Sequence, residues 1–199
     1  PVNVDALPPF IGAHIIRDPR DLLISGYYHH LKINDKFIIS KLEPRSHFYK
    51  KLGINELGLE KIAAGKSFRE LLLQVDFETA LKIEMNFRND HFEQMMKWDF
   101  ENPRIFEMKY ENFHENEFVI FEKLFRHFGF SEDMIMNSLQ MVDYVIFSPI
   151  RKGDISSEYE LIEKPGLWKE NMPESIKQLF KRDYNDLLIK LGYEDDHKW

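Results

Sequence analysis

The chain has 199 residues, a formal net charge of −7 and no cysteine. Its length suits one domain with a sizeable core, and its acidic balance argues against general nucleic-acid or anionic-membrane binding, since both need a basic surface to displace counterions. The missing thiols exclude disulfides, thiolate catalysis and cysteine zinc sites and fit either a reducing compartment, with a cytoplasmic location as the expectation, or chance, and any anionic ligand must meet a local basic pocket.

The opening "PVNVDALPPF" has neither an initiator methionine nor the charged and apolar regions of a signal peptide, and reads as a fragment or a processed chain. Ile11 to Ile16, "IGAHII", then reads as a short buried strand. Asp18 and Pro19 open a helix that runs to about Lys32, with proline at the position where a missing N–H costs nothing. Between Asn34 and Lys51 charged, proline and aromatic residues mix without a period, which predicts a long surface loop. Ser67 followed by Glu70 is a capping box for "SFRELLLQV", and a longer helix is predicted from about Phe77 to Trp98, with "FEQMMKW" facing the core.

"RIFEMKY", Arg104 to Tyr110, reads as a second strand, followed by "ENFHENE" as a polar turn. Phe118, Phe121, Leu124, Phe125 and Phe128 recur at helical spacing with Gly129 as the stop, part of a chain whose 17 phenylalanines predict an aromatic-rich core or cleft. Further helices are predicted from Glu132 to Met141 and from Glu174 to Leu191, the last begun by Pro173 and ended by Gly192. No run approaches ~18 apolar residues, so none reads as a membrane span. Strands separated by helices, with helix dominating, predict an α/β architecture: a parallel sheet flanked by helices, in a single domain over 1–199.

In an open parallel sheet, ligands collect outside the carboxyl ends of the strands. Arg17 stands there, and the helix that begins at once favours an anion beside it. Ser25, roughly two turns on, can donate to a phosphate oxygen if the ligand lies along the helix flank; Asp21, Ser25 and His29 share a face. A capped surface helix satisfies the same spacing, so both readings stay open. A second basic stretch carries Arg151, a planar fork, Lys152, a point charge, and Gly153, which lets backbone approach a ligand closely.

Together these stretches resemble the sulfotransferases that use 3′-phosphoadenosine 5′-phosphosulfate (PAPS). "RDPRDLLISGYYH" matches the family's arginine at a strand end, its proline- and aspartate-bearing helix start and a serine eight positions after the arginine. The resemblance implies that Arg17 and Ser25 bind the cofactor's 3′-phosphate, that Tyr110 of "MKYENF" contacts the adenine side, and that "RKG", Arg151 to Gly153, belongs to the loop that closes over the same phosphate. It covers Ile11 to the end, and implies a P-loop NTPase-like fold, helix-rich and N-terminally incomplete here, that transfers a sulfuryl group from PAPS to a hydroxyl or amine of a small-molecule or glycan acceptor. The product nucleotide would be 3′-phosphoadenosine 5′-phosphate, and no metal is implied.

The sequence departs from the family in two places. The glycine-rich loop with a lysine that cradles the 5′-phosphosulfate is not visible in "PVNVDALPPF", and "DISSEYELIEKP" separates Arg-Lys-Gly from "GLW", which puts Gly166 and Trp168 in doubt as cofactor contacts. The transfer also needs a base for the acceptor proton. His14 could substitute for the family's histidine or pack in the core, and His29 and His30 could line an acceptor pocket. Two rival readings remain: a P-loop nucleotide kinase, which would need a magnesium carboxylate, and a non-catalytic interaction domain of the same fold.

Overall fold

The computed structural model describes residues 6–142, 144 and 164–199, with 113–115 described by backbone alone. These residues form a helix-rich α/β arrangement with a two-stranded parallel sheet. The chain divides into two compact units, Pro1–Asp18 with Trp98–Pro165 and Pro19–Lys97 with Gly166–Trp199. No helix among the described residues is long and apolar enough to cross a membrane.

In the first unit, β1 (Gly12–Ile16) pairs with β2 (Ile105–Lys109) in a register that sets Gly12 opposite Ile105 and Ile16 opposite Lys109. Ile16 is buried, whereas Ile11 and Ile15 are more than half exposed. This corrects the expectation of a buried strand: successive side chains point to opposite faces, and among the described residues only one face of β1 is covered.

Helix α7 (Tyr110–His127) begins at the residue after β2. "ENFHENE" is therefore helical and not a turn, because it contains neither glycine nor proline and polarity alone does not stop a helix. The break it suggested is one residue wide: Asn116 alone departs from helical geometry, at φ −148° and ψ 43°. Gly129, at φ +76°, ends the helix in the left-handed conformation that a glycine adopts without strain, and its N–H donates to the Arg126 carbonyl. Helix α8 (Glu132–Val142) follows, burying Ile135 and Val142.

The second unit is built on α1 (Pro19–Lys32). Four short helices follow: α2 (Lys36–Ile39), α3 (His47–Lys51), α4 (Glu60–Ala63) and α5 (Phe68–Gln74). The long α6 (Phe77–Lys97), α9 (Leu167–Asn171) and α10 (Glu174–Lys190) complete it, and α6 packs against both α1 and α10.

Asn34 to Lys51 is not a surface loop. Asp35 accepts the Phe37 N–H to start α2, Ser46 accepts the Tyr49 N–H to start α3, and Ile38, Leu42 and Tyr49 are buried in a core shared with Leu52, Phe68, Leu71 and Ile83. Isolated apolar residues between local caps carry that burial without a period long enough to read. The capping box at α5 is complete, and its hydrogen bonds with Ser67 hold the Glu70 carboxyl below its usual range.

"FEQMMKW" buries Phe92 and Met95. The Phe92 ring meets Tyr184 edge-on at 4.9 Å and Phe180 at 5.7 Å, and burial pushes the Tyr184 phenol up to about 12 while its hydroxyl donates to Asn89. Gly26 lets α1 and α6 close: a Cβ there would lie 2.1 Å from Arg88 Nη2.

Candidate functional site

The register carries the sheet's last rung to Ile16 and Lys109, so the residues that follow each strand, Arg17 and Tyr110, leave the sheet side by side at its carboxyl edge. The Arg17 guanidinium carbon lies 4.7 Å from the centroid of the Tyr110 ring, a cation–π contact that orients the planar cation. One residue further on, the Asp18 N–H donates to Glu111 Oε1 at 2.8 Å, tying the two strand exits together. Tyr110 also opens α7, and its capping residue Lys109 makes no side-chain bond to the helix start. The edge therefore offers a guanidinium, a ring face and the positive end of a helix.

Ser25 belongs to the second unit, on α1, where it is buried and its Oγ lies 3.5 Å from the Leu22 carbonyl that it donates to. Arg151, Lys152 and Gly153 lie outside the described residues. The structure thus brings Arg17 and Tyr110 together, adds Glu111 behind them, and assigns Ser25 to a different unit.

Asp21, Ser25 and His29 share a face in sequence but not an environment. Asp21 is fully buried, its two oxygens accepting the Gly166 N–H at 2.7 Å and the Trp168 N–H at 2.9 Å. A carboxylate thereby caps the start of α9, where the backbone amides and the helix dipole favour it. Next to it Arg20, 2% exposed, places its guanidinium 3.8 Å from the Trp168 ring centroid and 4.6 Å from that of Trp199, and pairs with Glu194. Gly166 and Trp168 are thus anchored on α1. Sequence reading missed this use of Asp21 and Arg20, whose partners lie more than a hundred residues away.

The histidines differ among themselves. His14 Nδ1 faces Glu107 Oε2 at 2.8 Å from the paired position on β2, with the Trp98 ring 4.6 Å away and Trp98 Nε1 donating to the other Glu107 oxygen. His30 is buried and faces the fully buried Glu84 at 2.5 Å. His29 is exposed; its pKa is lowered by burial and by the neighbouring His30 and Arg88, so the ring is neutral near pH 7. His29 and His30 both border a pocket of about 390 Å³.

The family model described as the sulfotransferase domain matches residues 13–192. The chain belongs to that family. No curated protein and no solved structure matches it. The match runs from within β1 to the glycine that follows α10 and so takes in the sheet edge and residues of both units, and the sulfotransferase domain carries its arginine and tyrosine where a parallel sheet offers a ligand its strand ends.

Proposed function

We propose that this sulfotransferase domain moves the sulfuryl group of PAPS to an acceptor hydroxyl or amine, that its two units work as one domain, and that its sheet belongs to a P-loop NTPase-like fold. The observation that carries this reading is the contact between Arg17 and Tyr110 at the register-matched ends of β1 and β2. An oriented guanidinium suits a phosphate dianion and the tyrosine ring suits a purine, so the donor set fits the nucleotide end of PAPS. Ser25 and the Arg151, Lys152 and Gly153 triplet would complete the grip on the 3′-phosphate. When bound, PAPS supplies the sulfuryl group and leaves as 3′-phosphoadenosine 5′-phosphate.

Among the chain's own groups, Arg17 neutralises phosphate charge, Tyr110 orients the base, and the Asp18 to Glu111 hydrogen bond keeps the two strand exits from separating. Such fixed, pre-oriented charges lower the barrier of a group transfer through positioning rather than covalent chemistry.

Calorimetric titration of 3′-phosphoadenosine 5′-phosphate tests this. The wild-type chain should bind it, and Arg17→Ala, confirmed folded by circular dichroism, should bind about 10- to 100-fold more weakly, the worth of a charge-assisted hydrogen bond. Equal affinity in the two proteins, or no binding by the wild type, overturns the reading.

A further inference from the structure

Helix α2 sends its apolar side chains to two destinations. Ile38 is buried in the core of the second unit, whereas Phe37 before it is 76% exposed and Ile39 after it 48% exposed. Successive residues of a helix stand about 100° apart, so one short turn cannot bury all three against the same neighbour. The two left in water have cations on either side of them in the chain: Lys32 closes α1, Lys36 opens α2 and Lys41 follows its end.

From Lys32 to Lys51 the chain has six lysines and arginines against two acidic residues, although its formal net charge is −7. Lys32, Lys36, Lys41, Arg45 and Lys50 are exposed. The side chains of Lys36, Lys41, Arg45 and Lys50 form no hydrogen bond or ion pair among the described residues. Of the two acids, Asp35 accepts the Phe37 N–H at 2.8 Å and is committed to starting α2. The stretch thus presents unneutralised positive charge beside exposed apolar side chains. Together they fit a partner that is anionic at its surface and apolar just beneath it.

We propose that α2 docks on a membrane surface rich in anionic lipid, with Phe37 and Ile39 entering the headgroup layer and the surrounding lysines and Arg45 meeting lipid headgroups. Apolar area and basic charge add in such binding, which is peripheral and reversible and spans nothing. The acidic balance of the whole chain does not oppose it, because salt at physiological strength screens charges beyond about 8 Å and the basic stretch turns towards the surface first. A nucleic acid would satisfy the cations equally well but would leave Ile39, which has no flat face for a base to stack on, in water. The surface lies wholly in the second unit and is independent of the nucleotide reading.

The experiment sediments the full chain with vesicles of phosphatidylcholine alone or with about 30% phosphatidylserine, the anionic share of a basic-patch assay. The chain should bind the mixed vesicles and leave the neutral ones, and binding should fall as salt rises. Lys36→Gln and Arg45→Gln should each weaken binding about 5-fold. Phe37→Ser and Ile39→Ser should each weaken it about 10-fold with the melting temperature unmoved, since both side chains stand in water. Phe37→Trp should gain a blue-shifted emission on the mixed vesicles, which contact through charge alone would not produce. No binding to the mixed vesicles overturns the proposal, and so does equal binding to both kinds. Binding that survives both serine variants overturns the role of α2, and retention by duplex DNA with the mixed vesicles unbound assigns the basic stretch to nucleic acid instead.

Discussion

Among the described residues, two histidine–glutamate pairs stand one in each unit, each with a ring Nδ1 facing a carboxylate oxygen. His14 and Glu107 meet across the sheet at 2.8 Å with side chains 32% and 19% exposed; His30 and Glu84 meet between α1 and α6 at 2.5 Å with side chains 8% and 0% exposed. Water screens the first pair, and Trp98 shares its carboxylate. The second has lost its water, so each group depends on the other and on Arg88 nearby. The same kind of pair thus yields a fastening on the sheet in one unit and a committed, buried polar centre in the other.

Breaking the buried pair should have the largest effect. Glu84→Gln leaves His30 without its carboxylate, and a loss of about 3 kcal/mol is expected, read in denaturant unfolding as a lower midpoint. Glu107→Gln keeps a hydrogen-bond acceptor for Trp98 and loses a solvent-screened pair, so the expected cost is under about 1 kcal/mol. Comparable losses in the two variants would erase the distinction between the pairs.

The smallest effect sharpens it further. His29 has a folded pKa below its unfolded value of about 6.5, so in the window between the two the unfolded chain binds the proton first and stability falls as pH drops. The contribution is present in full above about pH 6.5 and fades towards the folded value. His29→Asn should flatten that slope in melting temperatures recorded from pH 7 to pH 5, and an unchanged slope would assign it to other groups.

Much of the architecture was readable because it is written in local chemistry. Pro19 at the head of α1, the Ser67 and Glu70 box, Gly129 after α7 and Gly192 after α10 each act within a turn of their own position. Both strands were legible, and with them the exits at Arg17 and Tyr110. Three things were not. The helical state of "ENFHENE" was hidden by its polarity, and the helices of Asn34 to Lys51 by their shortness. The outward face of β1 was hidden because a five-residue apolar strand looks the same whether one or both faces are covered. At the candidate site, the anchoring of Gly166 and Trp168 by Asp21 could not be foreseen, because the partners stand more than a hundred residues apart.

Sequence alone therefore determined the bounds of α1, α5, α6, α8 and α10, the two strands, and the family to which the chain belongs, since all of these rest on residues that interact with near neighbours or on motifs kept in order. Only tertiary structure decided which distant partners meet. Asp21 reaches Gly166, Arg20 reaches Trp199, and His30 reaches Glu84 because folded helices bring those side chains together. The strength of such a pairing depends on how much water packing removes, and no residue carries that quantity by itself.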